Sequence, residues 1–277
     1  MKNLFGFILL FLFFKTDAQY YYKDLMAADD MKQQMKLLID NKIQKVISTG
    51  YTPNGATTAD YDETQEVDAV QKQLRITTIL KHTVTHIHYT FDDKGRLQSI
   101  SDISMGLKSI SEYTYDNAGN ITIIKNVITD SLQDFTQTEI HTWIYKNNKP
   151  EKMWRTINST DSLEVRFKTD EQGNIIEEQN FKKGKATDPT YYYYDDKKRL
   201  TDIVRYNTLA KRLLPDYLFE YDDANRVIQK ITTVSSQNRG YLTWRYLYNE
   251  TGLKTKEALF NKEKQLQGRI DYSYISY

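Results

Sequence analysis

The chain has 277 residues, no cysteine, and 38 Lys and Arg residues against 37 Asp and Glu residues. Disulfide bonds and thiol chemistry are excluded, and the charge balance lacks the basic excess typical of proteins that bind nucleic acid or anionic lipid. Its 22 tyrosines outnumber the 11 phenylalanines and 3 tryptophans, a composition that favours sheets whose side chains are partly buried and partly wet.

Residues 1–18 have the pattern of a secretory signal peptide. Lys2 precedes an apolar run over residues 4–14, and the small residue Ala18 stands before the expected cleavage site. This run is too short to span a bilayer, which takes about 20 apolar residues. The pattern therefore predicts export to the periplasm, the outer surface or the medium, with no integral membrane span in a mature chain that begins at Gln19.

Residues 19–41 form a separate N-terminal segment with one amphipathic helix, predicted over residues 27–40. Met31, Met35 and Leu38 have the spacing that places side chains on one helical face, and Asn41 is a plausible stop. A helix that docks a partner is one interpretation. A short helix packed on the end of a sheet is commoner, so we expect it to cap an otherwise open sheet edge.

Residues 42–277 predict one β domain, because short runs of apolar and β-branched residues follow one another without a linker. The stretch Tyr51-Thr-Pro-Asn-Gly55 has the aromatic-to-glycine spacing of the later turns and is interpreted as a degenerate first repeat. Residues 56–68 are rich in threonine and acidic residues and have little to bury, which predicts a loop.

An aromatic–acidic motif recurs along most of the chain, as in Tyr113-Thr-Tyr-Asp-Asn-Ala-Gly-Asn-Ile121. The central residues of its seven copies are Phe91, Tyr115, Tyr145, Thr169, Tyr194, Tyr221 and Tyr248. Every copy has another aromatic residue two positions earlier, on the same sheet face. These pairs predict a stacked aromatic column that excludes water, each pair contributing about 0.5 to 1.5 kcal/mol beyond its buried area.

The residues that follow each centre are those of a tight hairpin turn. Asp or Asn comes next in six copies, and Gly or Asn stands four residues after the centre in five. Asp bonds to its own backbone at the start of a type I turn, and Gly or Asn takes the left-handed conformation that closes a bulged hairpin. Lys149 and Lys198 hold that position in the other copies, where left-handed backbone costs about 1 kcal/mol. Looser turns are expected there.

Two copies, Phe91-Asp-Asp-Lys-Gly-Arg-Leu97 and Tyr115-Asp-Asn-Ala-Gly-Asn-Ile121, resemble the YD repeats of bacterial RHS-like secreted proteins. The resemblance covers roughly residues 87–274. It implies an all-β array of successive antiparallel hairpins in a curled sheet, open or partly closed, and a secreted or surface role. Strands of large RHS proteins form a shell around a toxin domain, so this chain would be a short form without one.

Chemical motifs are scarce. Nucleotide-binding glycine loops and the HExxH and GxSxG motifs are absent. Acidic pairs recur at the turns, where turn formation explains them better than glycosidase or calcium chemistry, because repetition singles out no carboxylate. His82, His86 and His88 share one strand face without an evident fourth ligand, which favours an exposed cluster over a zinc site. We therefore expect no enzyme, no metal and no cofactor.

Tyr191 and Tyr193 depart from the repeat, because they lie on the face opposite the aromatic column. Other copies carry polar or charged residues there, such as Glu112 and Arg166. An exposed aromatic pair can bind a sugar or a peptide; the alternative is packing beneath residues 182–189 or a second layer. We expect a non-enzymatic binding or structural module at the cell envelope with a glycan or protein ligand. An accessory chaperone or shell partner of another exported protein comes second, and an envelope hydrolase third.

Overall fold

The computed structural model describes residues 20–208, 210–234 and 240–277. The predicted signal peptide and the expected mature N-terminus, Gln19, lie outside the described residues. Within these ranges one helix is followed by nineteen strands. They are α1 (Lys23–Asp40), β1 (Ile43–Tyr51), β2 (Thr57–Asp68), β3 (Gln73–Leu80), β4 (Thr83–Phe91), β5 (Leu97–Ser104), β6 (Leu107–Tyr115), β7 (Ile121–Asp130), β8 (Phe135–Lys146), β9 (Lys149–Ile157), β10 (Asp161–Thr169), β11 (Ile175–Lys182), β12 (Lys185–Ala186), β13 (Thr190–Tyr194), β14 (Leu200–Asn207), β15 (Arg212–Tyr221), β16 (Val227–Val234), β17 (Gly240–Tyr248), β18 (Lys254–Phe260) and β19 (Leu266–Ser276).

The helix α1 starts earlier than predicted, at Lys23, and ends where predicted. Asn41 stops it, and its side-chain amide donates a hydrogen bond to the Leu37 carbonyl at 2.9 Å. Met35 and Leu38 are buried together with Ala28. The amphipathic pattern is thus confirmed, and this face packs against the sheet.

The sheet is a closed antiparallel barrel, so the prediction of an open or partly closed curled sheet is wrong. Strand β1 pairs with β2 and also with β19, which joins the two ends of the array. Val46, for example, lies opposite Gln65 of β2 and Tyr274 of β19. Eighteen strands form the ring, and the two-residue β12 pairs only with β11 among the described strands. Closure removes the free edges that a long sheet otherwise exposes.

Repeated β-bulges give a physical reason for the closure. The register shifts by one residue at the central position of all seven motif copies, for example between Thr114 and Tyr115. A bulge bends its strand and increases the local twist. The same bulge at the same height in successive hairpins therefore adds curvature in one direction until the first and last strands meet.

The motif turns all lie at one end of the barrel, which we call the Asp-turn end. In the turn at Asp116, the backbone amide donates to the Asn120 carbonyl at 3.0 Å. The Asp116 carboxylate accepts from the Asn120 backbone amide at 2.8 Å and from its side chain at 2.9 Å. Gly119 supplies the left-handed residue with φ of 92°. The predicted hairpin chemistry is confirmed at this turn.

The two lysine copies behave differently from the prediction. Lys198 is left-handed, with φ of 64°, but its turn is closed as tightly as the others, with Asp195 N donating to Arg199 O at 3.0 Å. Lys149 is the first residue of β9, and the turn consists of Asn147 and Asn148 with φ of 52° and 60°. Two left-handed asparagines make the two-residue hairpin that suits the strand twist, so neither turn is looser.

A loop is predicted over residues 56–68, but Thr57–Asp68 forms the strand β2. The register of β2 places Tyr61, Gln65 and Val67 inward and the acidic residues Asp62 and Glu66 outward. Gln65 and Val67 are buried. Pairing with β1 and β3 supplies the stability that its composition lacks. The turn after Tyr51 has the expected hydrogen bonds but lies at the end of the barrel opposite the Asp-turn end.

The predicted aromatic column faces the lumen. Trp143, Phe167 and Tyr192 are buried, and the rings of Trp143 and Phe167 stack at a centroid distance of 5.0 Å. The central tyrosines, and Tyr274 on the last strand, also bond to the preceding hairpin. Each hydroxyl donates to the carbonyl of the residue that begins the previous return strand. These bonds are Tyr115 to Leu97, Tyr145 to Ile121, Tyr194 to Ile175, Tyr221 to Leu200, Tyr248 to Val227 and Tyr274 to Lys254.

The helix α1 lies inside the barrel. It does not cap a sheet edge as predicted, because pairing of β1 with β19 closes the ring and leaves it no free strand edge among the described strands. Tyr21 bonds to Glu178 of β11, Asp24 to His141 of β8, and Gln34 to Gln65 of β2. These strands belong to separate parts of the ring, so the helix bridges across the lumen.

Candidate functional site

Tyr191 and Tyr193 lie on the outer face of β13, as the alternation predicted. Their neighbours Thr190 and Tyr192 point inward and are buried, whereas 48% of Tyr193 is exposed. Across the strand pair, Tyr191 lies opposite Val204 of β14. The strand alternation of the repeat therefore places both rings toward the outside, where a ligand can reach them.

The tyrosine pair continues into an apolar surface on β14 and β15. On this face Val204 lies opposite Pro215, and Tyr206 lies opposite Leu213. Tyr206 and Leu213 are exposed at 42% and 44%. We call this surface the outer tyrosine patch, with the members Tyr191, Tyr193, Val204, Tyr206, Leu213 and Pro215.

Charged residues border the outer tyrosine patch. On one side Tyr191 lies opposite Glu177 of β11, which pairs with Lys168 of β10 at 2.7 Å. Arg166 of the same strand pairs with Glu164 at 2.9 Å. An apolar centre with a charged rim is the usual anatomy of a protein-binding surface.

Elsewhere the outer face carries charged side chains in the middle of its strands. They include Asp62, Arg75, Glu112, Lys125, Lys152 and Arg166. Transmembrane barrels instead place an apolar band about 25 Å tall on the outside. The alternation here puts the aromatic column of the repeat inside and these charged side chains outside.

The other sequence candidates lie apart from the patch. His86 and His88 lie on the outer face of β4, where His86 Nδ1 lies 3.1 Å from the Thr77 hydroxyl. His82 lies in the turn before that strand. In residues 20–277, the undescribed gaps excepted, no group of three or more His, Asp or Glu side chains is arranged to hold a metal ion.

The carboxylates of the turn aspartates bond to groups within their own turns. The Asp92 carboxylate accepts from the backbone amides of Lys94 and Arg96 at 2.9 Å, and it pairs with the Arg96 guanidinium at 2.6 Å. Asp195 and Asp222 repeat this arrangement. Burial opposes ionisation of Asp92, but the bonds from Arg96 hold the pKa of this carboxyl below its usual range.

A buried ionic network, which sequence reasoning missed, holds the start of α1. His141 Nδ1 lies 2.6 Å from Asp24 of the helix, and Nε2 lies 2.8 Å from Glu139. Glu139 also accepts from Arg155 at 3.0 Å. Burial lowers the pKa of His141, but the Asp24 and Glu139 carboxylates outweigh it and raise the pKa to about 9. The imidazolium therefore bridges the helix and the wall.

A second buried contact lies beside this network. The Glu178 carboxylate accepts from the backbone amides of Tyr21 and Tyr22 at 2.7 and 2.9 Å, and from the Tyr192 hydroxyl at 2.8 Å. Burial raises the pKa of Glu178 to about 7, although these three donors favour the ionised form. The two amides immediately precede α1, which begins at Lys23, so Glu178 ties the start of the helix to the wall.

Comparison with known proteins gives fold likenesses only. No family model matches the chain, and no curated protein matches it. A porin-like protein from Bacteroides uniformis ATCC 8492 is similar at 10% identity and a TM-score of 0.45, over 84% of this chain and 98% of that chain.

Chains of the Photorhabdus luminescens Tc holotoxin pore and of a TcdB2–TccC3–Cdc42 structure are similar at 15% and 14% identity, each with a TM-score of 0.35. These matches cover 76% and 78% of this chain but only 11% and 12% of those chains. None of the three likenesses is strong enough to assign a function, and membership of the YD-repeat family stays a prediction. Among the described residues, no helix is long and apolar enough to span a membrane.

Proposed function

We propose that this chain is an exported, non-enzymatic barrel that binds a protein partner at the cell envelope through the outer tyrosine patch. The observation that carries the proposal is the exposed aromatic and aliphatic surface on three neighbouring strands, at Tyr193, Tyr206 and Leu213. Tyrosine is enriched at the centres of protein interfaces, and such residues dominate binding energies.

The aliphatic members of the patch favour a protein over a glycan. The side chains of Leu213 and Pro215 offer no hydrogen bond to a sugar hydroxyl, but they complement the apolar centre of a protein surface. A glycan stacked on the exposed ring of Tyr193 is the second candidate, since a sugar needs only one aromatic platform and nearby polar groups such as Asp202, which lies opposite Tyr193.

The composition of the outer face supports an aqueous surrounding for the barrel. Charged side chains in the strand middles, such as Glu112 and Lys125, would be costly in a lipid-facing band. Export itself rests on the signal-peptide pattern of residues 1–18. Together these features support a location in the envelope outside the cytoplasm, with the patch open to other proteins.

Co-purification from the native host tests the proposal. We expect a stoichiometric protein partner to be captured by the unchanged chain, and the variant Tyr191→Ala with Tyr193→Ala to weaken its binding at least tenfold, as loss of interface hot spots does. The matched control is Tyr241→Ala, because Tyr241 is an outer tyrosine of β17 with 41% exposure, away from the patch.

Two outcomes would overturn the proposal. One is a partner that binds the double variant as tightly as the unchanged chain. The other is a glycan array that gives binding dependent on Tyr193 while no protein is retained, which would establish the second candidate instead.

A further inference from the structure

A cationic surface lies beside the outer tyrosine patch, at the end of the barrel opposite the Asp-turn end. It is formed around two turns, one between β11 and β12 and one between β14 and β15. These turns are neighbours in the ring, because β12 leads into β13, which pairs with β14. We call this surface the basic rim, and its members are Lys182, Lys183, Lys185, Lys211 and Arg212, all of them exposed.

The basic rim is continuous with the outer tyrosine patch. Tyr206 and Leu213 of the patch lie opposite each other, and the next pair toward the rim is Asn207 and Arg212. Neighbouring residues of a strand are about 3.3 Å apart along its axis. The charges of the rim therefore begin one residue beyond the exposed apolar side chains, which is close enough for one partner to contact both.

Among the described residues, no carboxylate forms an ion pair with a cation of the basic rim. The nearby carboxylates of Glu177 and Asp216 pair with Lys168 and Arg205, which lie outside the rim. Within the two segments that form the rim, residues 182–188 and 207–212, the sequence has one acidic residue, Asp188. The rim is thus a local positive excess on a chain whose total charges nearly balance.

We propose that the protein partner presents an acidic segment, whose carboxylates contact the basic rim while its apolar side chains contact the outer tyrosine patch. This inference rests on the proposed function, because it names the chemistry of the partner at that same surface. Opposite charges on two proteins steer their encounter and disfavour partners of like charge. The patch supplies the apolar contact area, and the rim selects which partner occupies it.

The layout of the combined surface favours an acidic protein over an anionic bilayer or polysaccharide. The patch extends along the wall from Leu213, beside the rim, to Tyr193, near the Asp-turn end. A bilayer that meets the rim would contact the turns but not this length of wall. An anionic polysaccharide would pair with the rim but would leave the apolar side chains of Leu213 and Pro215 uncovered. A protein segment with both acidic and apolar side chains matches the whole surface.

Fluorescence anisotropy of the full chain with a synthetic peptide of about ten alternating glutamate and phenylalanine residues tests the inference. The matching peptide of lysine and phenylalanine is the probe of opposite charge. We expect the acidic peptide to bind at least about tenfold more tightly than the basic one. Its affinity should fall as the salt concentration rises from about 0.1 to about 1 M, because the screening length falls from about 10 to about 3 Å.

Charge reversal at the basic rim separates this contact from a general effect of net charge. Lys183→Glu with Lys211→Glu should weaken binding of the acidic peptide about tenfold or more. The matched control is Lys81→Glu with Lys264→Glu, which changes the net charge equally but lies outside the rim and the patch. All four lysines are exposed turn residues at the same end of the barrel, with left-handed φ of 49°, 52°, 57° and 61°. Thermal unfolding of each variant verifies that the barrel is intact.

The outcomes distinguish this inference from the proposed function. If Tyr191→Ala with Tyr193→Ala releases the co-purified partner, but neither that partner nor the acidic peptide responds to charge reversal at the rim, the inference is wrong and the proposed function stands. If the tyrosine variant retains the partner, the proposed function fails and the inference fails with it. The inference is also overturned if the control variant weakens peptide binding as much as the rim variant does. Binding of phosphatidylglycerol vesicles or polygalacturonate through Lys183 and Lys211, without binding of the peptide, would overturn it as well.

Discussion

The two sides of the lumen differ in how they meet α1. On the closed flank, the inner wall of β8–β13, Trp143, Phe167 and Tyr192 are buried, and the charges of the anchoring network are paired. On the other side, the inner wall of β15–β19, which we call the open flank, the rings of Tyr217, Phe219 and Tyr246 are only partly buried. The same repeat builds both walls, so the difference arises from side chains and from the position of the helix.

This contrast indicates that the two flanks of the barrel contribute unequally to its stability. The closed flank should contribute most to stability, because removing one partner of a buried ion pair leaves the other charge uncompensated. The open flank packs less tightly against the helix, so each of its side chains should contribute less to stability. Changes on the closed flank should therefore lower the free energy of unfolding more than changes on the open flank.

The largest effect is expected from Glu178→Ala on the closed flank. The change leaves the amides of Tyr21 and Tyr22 and the Tyr192 hydroxyl without their acceptor in a buried place. We expect the free energy of unfolding in urea to fall by about 3 to 5 kcal/mol. Glu178→Gln keeps one acceptor oxygen and should lose less. Equal stability of the alanine variant and the unchanged chain would show that the closed flank does not anchor the helix.

The next effect is a loss of stability as pH rises. The pKa of His141 rises from 6.5 to about 9 in the fold, so its contribution is complete below pH 6.5 and is lost as pH rises through 9. The pKa of Glu178 rises from 4.5 to about 7, so the fold favours its neutral form and stability falls between these values.

Urea unfolding between pH 4.5 and pH 9 should therefore show a decline on the order of 3 kcal/mol or more. His141→Gln removes the part of the decline above pH 6.5 and leaves the part at lower pH. A flat profile over this range, or an unchanged upper limb in the variant, contradicts the assignment of the imidazolium to the closed flank.

A smaller loss of stability is expected when either of two equivalent tyrosine hydroxyls is removed. Tyr194 and Tyr248 each donate to the carbonyl of a preceding strand at 2.8 Å, but Tyr194 also interacts with Tyr22 of the N-terminal segment. Tyr248→Phe should cost about 1 kcal/mol, and Tyr194→Phe more, because it breaks a second contact. Thermal and urea unfolding of both variants measure the difference, and equal losses would mean that the extra contact adds no stability.

Much of the local structure could be predicted from the sequence. The Asp–Gly turns, the outward placement of Tyr191 and Tyr193 and the end of α1 at Asn41 all follow from residues a few positions apart. Turn chemistry and strand alternation act locally, so they leave a clear pattern. The prediction of a loop over residues 56–68 is wrong because pairing on both sides stabilises a strand whose composition alone suggests a loop.

Closure and the anchoring network could not be predicted in this way. Closure depends on curvature summed over many hairpins, and no single turn reveals the sum. Asp24, His141 and Glu178 are far apart in the chain. They form the anchoring contacts only when the barrel places His141 and Glu178 beside the start of the helix. His141 did carry one signal: its inward position on β8, two residues before the aromatic Trp143, is unusual for an ionisable side chain.

The pairing of β1 with β19 has a kinetic consequence. The hairpins join strands that are neighbours in sequence and can each form within microseconds, but Val46 meets Tyr274 only after almost the whole chain has been ordered. Contacts between such distant residues slow folding. Until β1 pairs with β19, the partly folded sheet exposes two unpaired edge strands. A delay at this step would leave an intermediate that can pair with the edges of other chains.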